Sequence, residues 1–389
     1  MKQVQRVLAN YCADLGGVCS ALYELGGLIV MHDASGCNST YATHDEPRWY
    51  DMDSLIFISA LEEYDMVLGN DQKFIDDVAE VADEKHPKFI AIFGSPIALV
   101  CGTDFKGVAR LIEQRTGIPT FAFQTSGMYT YQNGARQAFE KIADFFCPNS
   151  IERKPHTGIS VNLLGVTPLD FSVVGNVEGL HAFLQRNGFT EQSCWSMGDS
   201  LEQLETAGQA DVNLVVSSVA LDAAKVLRRK YGTPYVIGIP IGPYGERAVA
   251  DAIREAADSG ENQILSSDPP TSADRRRTLL IGEPVFCSSL RACLEQDCGC
   301  GEVQVICPLE DDIGLLRDSD CRSDEEDDIR RLTNEADRII ADPIYRRVAP
   351  PTVPFTDFPQ EACSGRQFRA EIPVFVAPEF DQWLKKNNC

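Results

Sequence analysis

Apolar residues in this chain gather in short continuous runs, separated by longer stretches with helical spacing. Phe89-Ile90-Ala91-Ile92-Phe93 is apolar at every position, as expected of a strand covered on both faces. Gly94-Ser95-Pro96 closes it. The spacing then predicts a helix over 105–115, a turn at Thr116-Gly117-Ile118-Pro119 and a strand over 120–123. The same grammar recurs, with strands over 160–164, 212–216 and 235–239 and helices over 177–186 and 221–230. A third round has strands over 278–282, 303–306 and 338–341 and a helix near 290–295. Alternation of this kind predicts an α/β fold with parallel sheets flanked by helices. Polar breaks at 148–158 and 266–277, the latter containing Ser267-Asp268-Pro269-Pro270, divide the chain. Three modules result, 1–158, 159–271 and 272–389, each within the usual range of domain sizes.

Charge and composition narrow the function. Lys and Arg number 35 against 58 Asp and Glu, a net charge of −23 in 389 residues. A sequence-independent grip on nucleic acid needs clustered cations, so that class is excluded, as is an anionic membrane surface. No apolar run approaches the ~20 residues of a membrane helix. The start, Met1-Lys2-Gln3-Val4-Gln5-Arg6, has no apolar leader core, which predicts a cytoplasmic protein. Fourteen cysteines accompany only five histidines. In a large cytoplasmic chain such thiols are packing groups, metal ligands or nucleophiles. Gly-x-Gly-x-x-Gly after a strand, a P-loop, His-Glu-x-x-His, Gly-x-Ser-x-Gly and a compact ferredoxin-type cysteine run are all missing. No catalytic group can be named, and any cluster ligands must converge from separate loops. The acidic run 324–328 is expected to be a solvated helix start, with a metal or partner site as the alternative.

Cys12 precedes Ala13-Asp14-Leu15-Gly16-Gly17. Cys37 ends the loop that follows the run Leu28-Ile29-Val30-Met31, and Cys101 follows the strand over 89–93. Ligands bind at the carboxyl ends of strands in open parallel sheets, so these thiols are candidates to meet at one edge. Cys19 is seven residues beyond Cys12, on the same helical face two turns on, and is expected to pack.

Tyr11-Cys12-Ala13-Asp14-Leu15-Gly16-Gly17 and Met31-His32-Asp33-Ala34-Ser35-Gly36-Cys37 resemble two ligand segments of nitrogenase component 1. The likeness continues through 57–71, through Ser95-Pro96-Ile97-Ala98-Leu99-Val100 with Gly102-Thr103-Asp104, and through Lys230-Tyr231-Gly232-Thr233-Pro234 with Gly242-Pro243. It ends at Ala362-Cys363-Ser364-Gly365-Arg366. The resemblance implies three Rossmann-like α/β domains and an iron–sulfur cluster near a dimer interface. It also implies a separate ATP-hydrolysing reductase as electron donor, and the partner chain is a second copy or a related component 1 subunit.

By the same resemblance Cys12 and Cys37 are cluster ligands. The third family cysteine falls on Ser95; Cys101, six residues on, is either its replacement or a buried thiol on the next helix. Two thiolates from each of two subunits would hold one [4Fe–4S] cluster, and Cys101 would allow a larger one. The family's cofactor ligands fall on Val216 or Ser217 and near Pro359-Gln360, so a molybdenum–iron cofactor is not expected. The inter-domain cleft is instead expected to admit an organic substrate. Gly175-Asn176 and the segment 242–247 would line it, the latter as an anion-receiving helix start or an ordinary cap. Among the third-module thiols, Cys287 and Cys293 fall on a helical pattern, and Cys298-Gly299-Cys300 is a minor candidate for metal. His32 and His44 flank the cluster loop, His44 as a relay or a surface residue. The expected function is a nitrogenase-like oxidoreductase subunit. The alternatives are a scaffold for cofactor assembly and a cluster-free ligand-binding protein.

Overall fold

The computed structural model describes residues 6–34, 46–153, 155–265, 274–310 and 313–387. Its strands form three sheets, and every pairing within them is parallel. The first contains β1 (Leu28–His32), β2 (Leu55–Ile58), β3 (Ile90–Gly94) and β4 (Thr120–Ala122), in the order β2-β1-β3-β4. The second contains β5 (Ser160–Leu164), β6 (Thr190–Cys194), β7 (Val212–Val215), β8 (Tyr235–Ile237) and β9 (Gln263–Ile264), in the order β6-β5-β7-β8-β9. The third contains β10 (Thr278–Ile281), β11 (Val303–Cys307), β12 (Cys321–Arg322), β13 (Arg338–Ala341) and β14 (Phe355–Asp357), in the order β12-β11-β10-β13-β14. The parallel α/β class expected from the alternation of elements is the observed one.

Element boundaries differ from expectation where a cap or a neighbour decides them. The third-module helix runs over Pro284–Gln296, well before residue 290. Pro284 opens it and the Glu283 carboxylate caps it, accepting from the Phe286 amide at 2.7 Å. A helix over Glu326–Glu335 does begin in the acidic run. Glu326 is not solvated, however. Its buried side chain accepts the amides of Arg6, Val7 and Leu8 at 2.9, 2.8 and 3.3 Å, fastening the N-terminal segment to the third module.

One buried apolar cluster extends from Leu15 through all three modules to Leu384. At its centre the helix Asp14–Leu22, buried along its whole length, crosses the helix Tyr131–Lys141. Two glycines permit the contact. A Cβ on Gly17 would sit 2.0 Å from the Tyr131 carbonyl oxygen, and one on Gly134 would sit 1.9 Å from that of Asp14. Buried Arg48 ties the first module to the second, donating to Glu24 at 2.8 Å, to the Ser20 carbonyl at 2.8 Å and to the Ser196 carbonyl at 3.0 Å. No helix among the described residues is long and apolar enough to cross a membrane.

Candidate functional site

Because β1, β2 and β3 are parallel, the segments that follow them open on one edge. His32 ends β1, and its Nδ1 lies 2.8 Å from the Ser59 hydroxyl beyond β2. The ring stacks on Phe74 with centroids 4.1 Å apart. Burial pushes its pKa down to about 4, so the imidazole is neutral at pH 7. The Ser95 hydroxyl, after β3, donates to buried Asp33 at 2.5 Å and accepts from the Ile97 amide at 3.2 Å. At the position where a family thiolate would stand, the serine is a helix cap with both of its roles taken.

Cys12 is held by its main chain from two modules. Its amide donates to the Ala362 carbonyl of the third module at 2.7 Å, and its carbonyl accepts from the Tyr131 amide at 2.6 Å. Two residues on, the Asp14 carboxylate accepts from the amides of Ser126 and Gly127, each at 2.8 Å. Cys12 is half-buried on the wall of a cavity of about 290 Å³ shared with Tyr11, Glu361, Cys363 and Arg366. With both peptide groups tied down, the side chain is presented in a fixed place.

Cys37 and His44 lie outside the described residues. Cys101 caps the short helix Pro96–Val100 and is exposed rather than buried; it does not line the Cys12 cavity. Cys19 is fully buried in the core. Among the described residues no group of three or more His, Cys, Asp or Glu converges as a metal site. One fixed, half-buried thiol fits a cluster only if Cys37 and a second chain supply the remaining ligands.

The positions that the resemblance assigns to cofactor ligands do face one cavity. Val216 and Gln360 line it together with Phe171, Phe286, Phe358 and Phe375. Its volume is about 20 Å³, room for roughly one water. The segment 242–247 lines a separate cavity of about 300 Å³ with Arg186, Val376 and Asp381, whereas the first is closed. Asn176 helps to shut it, donating to the Phe171 and Pro373 carbonyls at 3.1 and 3.4 Å and accepting from the Phe375 amide at 2.7 Å. The helix start at 242–247 is likewise taken, because both Asp297 carboxylate oxygens accept the Tyr244 amide at 3.0 Å.

Two buried acids in this cavity wall carry no signal in the spacing of the sequence. Asp170 accepts from Tyr131 at 2.5 Å, Ser217 at 2.7 Å and Thr167 at 2.9 Å. Glu283 accepts from the Ser218 amide at 2.9 Å as well as from Phe286. Desolvation, with the negative charge of Asp170 beside it, raises the Glu283 pKa to about 7. The one clue lay in Glu283-Pro284 ahead of an apolar helical run, which is a capping signature.

Three parallel sheets, with a cysteine pinned where the modules meet, define an α/β protein of the component 1 architecture. The sequence pattern of the nitrogenase component 1 type oxidoreductases matches residues 12–281, and the chain belongs to that family. The nitrogenase iron–molybdenum cofactor biosynthesis protein NifE of Klebsiella pneumoniae is 25% identical over 217 residues, 53% of this chain and 46% of that protein. The nitrogenase molybdenum–iron protein alpha chain of Clostridium pasteurianum is 26% identical over 210 residues, 52% of this chain and 37% of that one. The chain thus spans about half the length, or less, of these curated relatives. A solved structure of nitrogenase Cp1 at pH 6.5 superposes with a TM-score of 0.72 at 16% identity, covering 100% of this chain and 94% of that one. That likeness establishes the fold.

Proposed function

We propose that this chain is a cluster-bearing subunit of a nitrogenase-like oxidoreductase, with Cys12 and Cys37 as its ligands and a second component 1 chain completing the set. The carrying observation is the fixing of Cys12 by Ala362 and Tyr131 at the meeting point of the modules. When bound, a [4Fe–4S] cluster supplies one-electron, low-potential chemistry. The chain's own residues hold the thiol, place Arg366 beside it and exclude water from the neighbouring core. Leu99, Val100, Met128 and Tyr129 are exposed on the segments next to Cys101 and Ala13, and an apolar patch of this kind suits a subunit contact. Electrons arrive from an ATP-dependent reductase-like partner and serve to reduce a substrate.

Assembly of a metallocofactor is the second reading. The likeness to the NifE cofactor biosynthesis proteins and the closed second cavity favour it. Anaerobic purification with iron and sulfide analysis tests what both readings share. About four irons per dimer are expected, with loss in a Cys12→Ala/Cys37→Ala double variant. Full iron retention in that variant would sink the assignment. Addition of the reductase, ATP and dithionite then separates the two readings. Substrate-linked oxidation supports the oxidoreductase, and metal transfer to an apo-acceptor supports the scaffold.

A further inference from the structure

The helix Pro284–Gln296 ends in a pair of thiols. Cys293, fully buried, sits in its last turn, and Cys298, half-buried, sits just past its end. The Cys298 amide donates to the Cys293 carbonyl at 3.3 Å and the Asp297 amide to the same oxygen at 2.8 Å. A contact of that length keeps the two Cα atoms within the roughly 7 Å that a disulfide can bridge. Each thiol also shifts the acidity of the other, Cys293 upward and Cys298 downward. The next thiol in sequence is turned elsewhere: the Cys300 sulfur accepts from Arg338 at 3.2 Å.

We propose that Cys293 and Cys298 form a redox modification site, a dithiol that small-molecule disulfides convert reversibly to an intramolecular disulfide. Cys298 is the attacking sulfur, being the more exposed. Neighbouring Cys293 and the charge of Arg338 favour its thiolate, while burial, Asp297 and Asp381 oppose it. Cys293, raised by its neighbour Cys298 and by burial, stays a thiol until its partner has reacted.

The steps balance. The Cys298 thiolate displaces one thiolate from an oxidised glutathione, giving a mixed disulfide. Cys293 then loses its proton to solvent and attacks the Cys298 sulfur, expelling the second glutathione thiolate. The protein gives up two electrons, and one glutathione disulfide becomes two glutathiones. The site lies on the seam between the second and third modules. The Cys293 sulfur sits against Gly242, where a Cβ would be 2.5 Å away, and neighbouring Asp297 caps the helix that starts there. The proposal is independent of the cluster assignment.

Anaerobically purified full-length chain, equilibrated across a series of reduced-to-oxidised glutathione ratios, acid-quenched, alkylated and digested, tests it. The tryptic peptide spanning 292–317 is expected to carry an internal Cys293–Cys298 bond at the oxidising end, with Cys300 and Cys307 alkylated. Dithiothreitol should reverse it. A Cys300→Ser variant should retain the bond and a Cys298→Ser variant should lose it. Alkylation of both thiols at every ratio would overturn the proposal, and so would an internal disulfide that survives Cys298→Ser. A Cys12→Ser chain, which abolishes the proposed cluster ligand, should still form the bond.

Discussion

His32 shows how a single side chain records its surroundings. The ring is enclosed by Phe74 and Phe105, and among the described residues the charges acting on it are those of Asp65 and Lys73. Burial dominates, and the pKa falls to about 4. In the unfolded chain the imidazole takes its proton near the usual value of about 6.5. Above that pH both states are neutral and the group contributes nothing. Between about 6.5 and 4 the unfolded chain binds a proton that the folded chain does not, so stability falls as pH drops. Urea unfolding at pH 7 and pH 5 should therefore show a His32→Phe chain losing less stability than the wild type, by roughly 2 kcal/mol. An equal loss in both would remove the histidine from the account. Cys12 was legible at this scale as a candidate ligand, from its Gly-rich neighbourhood and its resemblance. Ser95 was legible as a departure from the family. Its work as a cap bonded to Asp33 was not, because Asp33 is distant in sequence and reaches it only through the pairing of β1 with β3.

Among the elements, the crossing of the helices Asp14–Leu22 and Tyr131–Lys141 sets the position of Cys12. Gly134→Ala forces a methyl group onto the Asp14 carbonyl, and overpacking of this kind costs about 1–3 kcal/mol. The displaced helix should also lower iron retention, and iron-to-protein ratios in the variant check this. A ratio equal to the wild type's would mean that Cys12 is positioned independently of the crossing. At the seam between the second and third modules, Glu283 satisfies two buried amides. Glu283→Ala leaves both without an acceptor, at about 1–3 kcal/mol each, readable as a shifted denaturation midpoint. An unshifted midpoint would show the amides bonded elsewhere. The Glu283 capping signal was present locally. Its bond from Ser218 was not, and neither was the bond that the Tyr244 amide donates to Asp297 at the helix start over 242–247. That segment reads as an open anion site until a residue from another module is placed on it.

For the whole molecule, the charge of −23 bears on association more than on folding. A reductase-like partner that docks through a cationic patch should associate more slowly as salt is raised, since long-range attraction between exposed charges is screened. Stopped-flow measurement of electron transfer over a range of ionic strength checks this, and a salt-independent rate would point to an apolar docking face. What the amino-acid order determined by itself was the alternation of elements, and with it the parallel α/β class. These depend on apolar runs and capping residues that act over a few positions. The family likeness of the first cysteine segments is local in the same way. Tertiary structure alone decided that Cys12 is clamped between Ala362 and Tyr131, that Cys101 is exposed and outside the Cys12 cavity, and that four phenylalanines line the second cavity. Those outcomes depend on which surfaces the three sheets and their helices press together, and contacts across hundreds of residues leave no periodicity in the chain.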